Sequence, residues 1–275
     1  MPIGKLYIVA TPIGNLEDLT LRALRILKEV DVVAAEDTRH SLRLLNHYGI
    51  SKQIVSYWGE REKVRAEETI SLLKAGKDVA LISDAGTPGI ADPGSVLIRR
   101  AWEEGIKAEA IPGPSAVIAA LSVSGFRAEE FVFSGFLPAK RPRRRKMLED
   151  LSLEKRTIVF YEAPHRILES FNDIAEIFGK RNAFLVREMT KMHEEMLKGD
   201  AVNIRDRLQE TVLAGEYVIV IEGRREEENL SEEEALGEIQ ALMKKGLGRK
   251  DAVKRVAAEY GLSRKELYDR SLSGQ

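Results

Sequence analysis

The chain of 275 residues carries 43 Lys and Arg against 44 Asp and Glu, a formal net charge of −1, and it contains no cysteine. The missing thiols exclude disulfides, thiolate metal ligands and cysteine nucleophiles, and the near neutrality argues against a wholly basic nucleic-acid coat, so any RNA surface must be local. There is no apolar stretch of about 20 residues that could span a membrane, and no basic, apolar leader pattern opens the sequence. We therefore expect a soluble, cytoplasmic protein.

Short apolar runs alternate with longer amphipathic stretches through the first half of the chain. The runs that we predict as buried strands are Leu6–Ala10, Val32–Ala35, Val79–Ile82 and Ala108–Ile111. Each is followed by a loop and a helical pattern, and this alternation predicts a mostly parallel sheet covered by helices on both faces. We assign residues 1–123 to this N-terminal α/β domain.

Loops rich in glycine, proline or charge follow the predicted strands. Ile82–Gly94 has three glycines and two prolines in thirteen residues, a composition typical of a fixed loop with accessible backbone amides. Ligands of open α/β sheets bind beyond the carboxyl ends of the strands. Ordinary strand-to-helix turns remain the alternative, but we expect this loop to form one site with the three others, which are Thr11–Asn15, Glu36–Arg39 and Pro112–Ser115.

Standard nucleotide, metal and hydrolase motifs are missing. The sequence has no G-x-G-x-x-G after the first strand, no G-x-x-x-x-G-K-[ST] and no G-x-S-x-G, which disfavours a dinucleotide site, a P-loop ATPase and a serine hydrolase. The four histidines lack the spacing of a zinc site. We predict no metal site.

The strand rhythm restarts after Gly125. The predicted strands are Phe131–Phe133, Ile158–Tyr161, Phe184–Val186 and Val218–Ile221, and we assign residues 124–225 to a C-terminal α/β domain. Two clusters of ionisable residues, Phe160–Arg166 and Arg187–Glu195, follow strands of this domain. Solvated strand ends would explain them equally well, but their position also suits a rim that closes over a ligand.

A strongly basic run, Lys140–Lys146, has six cations in seven residues. Such a run repels itself, so a polyanion is a natural partner, and cations at a helix N-terminus oppose the macrodipole. A solvated helix start is the alternative reading.

The C-terminal part has the pattern of a small helical appendix, residues 229–275. A glutamate-rich linker, Glu226–Glu234, leads into it, and Ser231 with Glu234 forms a capping box. Apolar residues at helical spacing predict two helices, the second ended by Gly261, and a capping box of Ser263 and Glu266 opens a third. Residues 244–270 hold nine cations and four acids, a local charge of +5.

Six motifs in order resemble the small-subunit ribosomal RNA methyltransferase family of the tetrapyrrole methylase superfamily. The motifs are Val9–Leu16, Ala35–Arg39, Ser83–Gly89 with Asp92–Gly94, Pro112–Ala116, Tyr161–Arg166 and Arg187–Lys191. The resemblance implies two α/β domains with S-adenosylmethionine in the cleft between them. It also implies a homodimer that methylates the ribose 2′-hydroxyl of a cytidine in small-subunit (16S) ribosomal RNA near the decoding centre. The sequence departs from other superfamily members at Thr11–Gly14, where they have a glycine-rich loop, and at Ser83–Pro88, which replaces a Gly-Asp-Pro loop.

The resemblance also implies which residues form the site. Cofactor contacts are expected from Ser83, Asp84, Ala85, Gly86, Ile90, Ala91, Ser115 and Ala116 of the first domain and from Tyr161, Glu162, Met189 and Thr190 of the second. We expect Asp37 to be the base or proton acceptor and Lys191 to stabilise the developing oxyanion. RNA phosphates are expected to contact Arg39, Arg166, Arg143, Arg144 and Arg145.

Two other functions remain open at this point. The first is a superfamily methyltransferase that acts on a small molecule such as a tetrapyrrole. The basic run and the cationic appendix argue against it, because a small acceptor needs no extended cationic surface. The second is a non-catalytic ribosome-binding factor, which cofactor binding with turnover would exclude.

Overall fold

The computed structural model describes residues 2–224, 232–244, 246–260 and 262–273. The first sheet is formed by β1 (Leu6–Val9), β2 (Val32–Ala35), β3 (Gln53–Ser56), β4 (Val79–Ile82) and β5 (Ala108–Ile111). Its order is β3-β2-β4-β1-β5, and all neighbours are parallel. The four predicted strands are confirmed. Strand β3 was not predicted, because this edge strand, Gln-Ile-Val-Ser, has only two apolar residues.

Helices cover both faces of the first sheet, as predicted. They are α1 (Leu21–Glu29), α2 (Thr38–His47), α3 (Glu62–Lys74) and α4 (Ser95–Glu103). Alternate residues of β1 point to opposite faces: Tyr7 and Val9 pack with α1, whereas Leu6 and Ile8 pack with α3 and α4. Because all five strands are parallel, their carboxyl ends lie at one edge of the sheet.

The second sheet is formed by β6 (Phe131–Phe136), β7 (Thr157–Glu162), β8 (Asn182–Arg187), β9 (Glu195–Asp200) and β10 (Tyr217–Ile221). Its order is β6-β7-β10-β8-β9, and only β6 and β7 are parallel. Helices α6 (Arg141–Asp150), α7 (Ile167–Phe178) and α8 (Ala201–Gln209) pack on one face. Strand β9 was not predicted from the sequence, because this edge strand, Glu-Met-Leu-Lys-Gly-Asp, has a polar composition and no fully buried residue.

Helix α5 (Ala116–Ser124) connects the two sheets. It follows β5 of the first sheet, yet Val117, Ala120 and Leu121 pack on the free face of the second sheet against β7, β8 and β10. The residues just before α5 therefore lie at the junction of the two sheets. The domain division between residues 123 and 124 stays a prediction.

The C-terminal helices α9 (Glu232–Lys244), α10 (Arg249–Tyr260) and α11 (Arg264–Ser273) share an apolar cluster of their own. Ile239, Val253 and Val256 are buried in it, as the helical spacing predicts. The Glu266 N–H donates to Ser263 Oγ at 3.4 Å, as expected for one half of the predicted capping box. Ser231, Gly261 and most of the glutamate-rich linker lie outside the described residues. In the described part of the chain, no helix combines the length and apolarity needed to cross a membrane.

Candidate active site

The loops that follow the strands of the first sheet meet at one edge, as predicted. Thr11 and Gly86 form an antiparallel bridge, with N–H donors 2.8 and 3.0 Å from the partner carbonyls. The Thr11 hydroxyl, which is buried, also donates to the Ser83 carbonyl at 3.0 Å, and the Asp37 N–H donates to Asp84 Oδ1 at 3.1 Å. At the fourth loop, a Cβ on Gly113 would lie 3.0 Å from Ala10 Cβ. The four loops therefore form one continuous rim.

The longest of these loops, residues 83–94, has a backbone that few sequences can adopt. Gly86, Gly89, Ala91 and Gly94 all have positive φ, between 65° and 146°. At Gly94 a Cβ would also lie 3.0 Å from the Gly89 nitrogen. These conformations favour glycine because a Cβ clashes with the backbone in this region. Hydrogen bonds within the protein hold the turns, from the Gly86 N–H to the Thr11 carbonyl, from the Gly89 N–H to the Pro93 carbonyl and from the Ile90 N–H to the Thr87 carbonyl.

Two residues that the sequence analysis missed fix the end of this loop. Glu62 Oε1 accepts hydrogen bonds from the Gly94 N–H at 2.8 Å and from the Tyr57 hydroxyl at 3.2 Å. The fully buried Tyr57 hydroxyl in turn accepts from the Leu97 N–H at 3.1 Å. Neither residue belongs to a sequence motif, and only the packing of α3 against α4 brings them to the loop.

Acidic side chains of both sheets face this rim. Burial raises the pKa of Asp92 to about 6, and the nearby charges of Asp84 and Glu216 add to the effect against a hydrogen bond from Ser83. Burial, with Asp92 and Asp84 nearby, also raises the pKa of Glu36. Burial raises the pKa of Tyr161, near the end of β7, and the charges of Asp92 and Glu216 add to the effect. Asp92 on the rim of the first sheet is therefore near Tyr161 and Glu216 of the second, and we call the region between them the cleft.

The loop after β8 packs directly against the first rim loop. A Cβ on Gly14 would lie 2.5 Å from Lys191 Cγ and 2.9 Å from Thr190 Oγ1, so only glycine allows this approach. Thr190 adopts a positive φ of 65°, and its buried hydroxyl has no hydrogen-bond partner within the described residues. A buried hydroxyl without a partner costs free energy, and at a cleft it is available to a ligand.

Lys191 is held between two carboxylates. Its Nζ lies 2.9 Å from Glu188 Oε1 and 3.0 Å from Glu216 Oε2. Burial alone would lower the pKa of Lys191, but the hydrogen bonds to Glu188 and Glu216 raise it above its ordinary value. The ammonium group is therefore charged at neutral pH, and a lysine with three N–H donors keeps one for a ligand.

Asp37 and Arg39 form a pair at the start of α2. Asp37 caps the helix by accepting from the Arg39 N–H at 2.8 Å, and its second oxygen lies 3.0 Å from the Arg39 guanidinium. These hydrogen bonds from Arg39 lower the pKa of Asp37 to about 2. The guanidinium itself is largely exposed, so it can contact a phosphate.

Glu162 and Arg166 form a pair inside the second unit. The Glu162 carboxylate is buried and accepts from Ser170 Oγ at 2.6 Å, from the Ala163 N–H at 2.8 Å and from Arg166 Nη2 at 2.6 Å. Protein donors therefore occupy the carboxylate oxygens of Glu162. Arg166, paired in this way and mostly buried, presents less of its charge to solvent than Arg39.

The basic run divides into two sets on α6. Arg144 is 1% exposed and its Nε lies 2.8 Å from Asp173 Oδ2 on α7, which is 0% exposed. Arg141 and Arg145 also pair with Asp173, at 3.0 and 3.2 Å, and with Glu176. The structure therefore shows an internal partner for half of the run, which the sequence analysis assigned to a polyanion. Lys140, Arg143 and Lys146 are exposed and outside this network.

Other residues predicted to contact the cofactor lie on the 83–94 loop and at the start of α5. Ser83 is buried, whereas Ile90 and Ala91 are exposed on the rim. Ser115 caps α5 through its Oγ, 3.5 Å from the Ile118 nitrogen, where the two sheets join. Over the described ranges, no group of three or more His, Asp or Glu residues is placed to hold a metal ion.

Comparisons with known proteins agree with this architecture. The family "Tetrapyrrole (Corrin/Porphyrin) Methylases" matches residues 5–205. A Thermotoga maritima protein named ribosomal RNA small subunit methyltransferase I is 48% identical over 222 residues, which is 81% of this chain and 100% of that protein. A Synechocystis protein of the same name is 44% identical over 273 residues, 98% of each chain.

Solved structures share the fold at low sequence identity. A cobalt precorrin-4 methyltransferase of cobalamin biosynthesis superposes with a TM-score of 0.60 at 18% identity, covering 79% of this chain and 94% of that chain. A uroporphyrin-III-C-methyltransferase from Thermus thermophilus gives 0.57 at 22% identity, covering 79% and 94%. These likenesses confirm the predicted fold class of two α/β units.

Proposed function

The chain belongs to the tetrapyrrole methylases and, within them, to the ribosomal RNA small subunit methyltransferase I family, and from this premise we propose that it methylates the ribose 2′-hydroxyl of a cytidine in small-subunit ribosomal RNA, near the decoding centre. It is an S-adenosylmethionine-dependent methyltransferase. We propose that it acts in the cytoplasm as a homodimer. The observation that carries the proposal is the cleft, where the loops of the first sheet face Tyr161 and the loop at residues 189–191 of the second.

The residues of the cleft fit S-adenosylmethionine. Its ammonium and sulfonium groups are cationic, and Asp84, Asp92 and Glu216 make the cleft acidic. Its carboxylate and adenine need hydrogen-bond partners, and the unpartnered Thr190 hydroxyl can supply one. We propose that this loop and Ser115–Ala116 hold the cofactor from one side and Tyr161, Met189 and Thr190 hold it from the other.

Alignment of the ribose oxygen with the methyl group of the cofactor accounts for much of the expected rate enhancement. The bound cofactor supplies an activated methyl group on a sulfonium ion. The chain has to align the ribose oxygen with that methyl carbon, and alignment alone can supply several kcal/mol of the barrier. We propose that the Lys191 ammonium stabilises the oxygen as it loses its proton, and that Asp37 accepts a hydrogen bond from the 2′-hydroxyl. Arg39 and, to a smaller degree, Arg166 hold flanking phosphates.

The proposed function is tested by methyl transfer to small ribosomal subunits from cells that lack the activity. With labelled S-adenosylmethionine we expect one labelled cytidine, and the RNA should become resistant to alkaline cleavage there, because a methylated 2′-oxygen cannot attack the adjacent phosphate. A methyl group on the base would contradict the ribose assignment. Transfer to a tetrapyrrole but not to RNA would favour a small-molecule enzyme. Cofactor binding by calorimetry without any transfer would favour a non-catalytic factor.

Asp37→Asn is expected to lower kcat by more than about threefold and to leave the cofactor Kd nearly unchanged. Asparagine keeps the helix cap but removes the negative charge that accepts the proton or its hydrogen bond. The low pKa of Asp37, about 2, predicts no titration of this group between about pH 5 and 8, since a base titrates near its own pKa. A fall in kcat/KM as the pH drops below about 6, lost in Asp92→Asn, would instead assign the base to Asp92.

Neutralising Lys140, Arg143 and Lys146 with glutamine is expected to weaken RNA binding for all sequences alike. Each lost phosphate contact lowers the slope of log affinity against log salt by about 0.7 for single strands, so three contacts change it by about 2. The matched control is Arg141→Gln with Arg145→Gln, whose charges α7 already pairs, and there the slope should stay unchanged. Filter binding to protein-free small-subunit RNA measures both. Equal slopes for the two variants would place RNA recognition outside α6.

A further inference from the structure

An exposed aromatic ring lies at the edge of the cleft. Phe136, the last residue of β6, is 50% exposed although it is a large apolar side chain. Its ring centroid is 5.5 Å from that of Tyr161, which in turn lies 5.0 Å from Phe133. Phe133 and Tyr161 pack on the face of the second sheet that α5 covers, so the Phe136 ring lies beside them, on the side where the two sheets join.

The backbone turns this ring out of the second sheet. The pairing of β6 with β7 shifts register between Phe133 and Phe136, and Gly135 within this bulge has a φ of +63°. Bulges of this kind redirect a side chain next to a site. The next residue, Leu137, is buried in the core with α6 and α7. The backbone is therefore fixed before Phe136 by the pairing with β7 and after it by the buried Leu137, while half of Phe136 stays exposed.

Exposed cations follow the ring along the chain. Three residues separate Phe136 from Lys140, so their Cα atoms are at most about 14 Å apart. On the α6 face of the second sheet, Arg143 and Lys146 line a groove of about 350 Å³ together with Ser134 of β6 and Asp150. An open aromatic face beside cations suits a single-stranded nucleic acid, whose bases stack on aromatic rings while its phosphates bind cations.

We propose that an unpaired base of the RNA substrate, the target nucleotide or its neighbour, stacks on Phe136, and that Lys140 and Arg143 bind the phosphates beside it. The inference rests on the proposed function, because it names the part of the RNA that this cleft receives. Phe136 is then a positioning residue: the stacked base fixes the ribose in front of the cofactor, and enzymes that act on nucleotides hold an unstacked base in this manner.

The test compares three substitutions of Phe136 with a matched control. Phe136→Leu keeps apolar bulk without an aromatic face, Phe136→Ala removes both, and Phe136→Trp keeps the face. Trp102→Ala removes another exposed aromatic, 63% exposed in the last turn of α4, at the opposite edge of the first sheet because α4 runs antiparallel to the strands. Losing one base–aromatic stack is expected to lower kcat/KM for small subunits about 5- to 150-fold in Phe136→Leu and Phe136→Ala.

Further readouts separate stacking from other roles. Phe136→Trp and Trp102→Ala should stay within about threefold of the parent, and the cofactor Kd, measured by calorimetry, should be equal in all variants. The slope of log RNA affinity against log salt should not change, since a stack involves no phosphate. Parent-like kcat/KM in Phe136→Leu would overturn the proposal. A loss that follows a weaker cofactor Kd would overturn it too, because Phe136 would then be a wall of the cofactor site.

Binding to protein-free small-subunit RNA keeps the two proposals apart. If the parent transfers no methyl group to subunits, the proposed function fails, and filter binding alone decides the role of Phe136. In that case weaker binding of Phe136→Leu, restored by Phe136→Trp, supports the stack. Equal binding of Phe136→Leu and the parent contradicts it.

Discussion

Asp173→Ala is expected to lower the free energy of unfolding by about 3–5 kcal/mol, the usual cost of leaving a buried charge without its partner. Asp173 and Arg144 are 0% and 1% exposed, and their 2.8 Å ion pair is the centre of the contact between α6 and α7. Arg141 and Arg145 also bind the same carboxylate. Without it, three arginines converge on one point, one of them fully buried. Urea unfolding of both proteins measures the difference.

The matched control for this prediction is Glu176→Ala. Glu176 pairs with Arg141 and Arg145, but about half of its side chain is exposed, and ion pairs of exposed groups are worth about 0–1 kcal/mol. An equal loss in the two variants would contradict a special role of the buried pair. So would a loss below about 1 kcal/mol in Asp173→Ala.

The same pair predicts a dependence of stability on pH. Burial alone would raise the pKa of Asp173, but hydrogen bonds from Arg144 and Arg141 lower it below its ordinary value. A lowered folded-state pKa means that the unfolded chain binds the proton more tightly. The contribution of Asp173 is therefore complete above its unfolded pKa of about 4 and is lost as the pH falls further, and Asp173→Ala should flatten the acid limb of the stability curve.

Lys191→Met is expected to lower kcat by about 10²–10³-fold, the range seen when one donor to a developing oxyanion is removed. Methionine keeps a linear apolar stem against Gly14 but carries no charge. Initial rates at saturating cofactor and subunits measure kcat, and calorimetry measures the cofactor Kd, which should change little. A cofactor Kd that weakens as much as kcat falls would instead assign Lys191 to placing Met189 and Thr190.

Glu216→Gln is the control for Lys191. It removes one of the two carboxylates that hold the ammonium group, but Glu188, 2.9 Å away, remains. The charge of Lys191 is therefore kept, and we expect kcat to fall less than about tenfold. If Glu216→Gln is as inactive as Lys191→Met, the position of the ammonium group matters more than its charge.

The positions of most strands could be predicted from the sequence. Of the ten strands in the described residues, eight have the predicted apolar runs. The six inner strands are largely buried, and a strand covered on both faces must be apolar throughout. Both missed strands, β3 and β9, are edge strands without a fully buried residue. The mostly antiparallel pairing of strands in the second sheet could not be predicted, because the same apolar runs suit a parallel or an antiparallel neighbour.

The sequence alone determined the family, the four strand-end loops and the glycine positions, because backbone conformation and close approach at Gly14 and Gly94 depend on the residue type itself. Only the tertiary structure decided which cations of the basic run are paired inside the protein and which can bind RNA. The six cations of the basic run look alike in the sequence, yet Asp173, about 30 residues later, pairs with the buried Arg144 and with Arg141 and Arg145. Burial and ion pairing depend on partners distant in the chain, and for the same reason the raised pKa of Asp92 followed only from the tertiary structure.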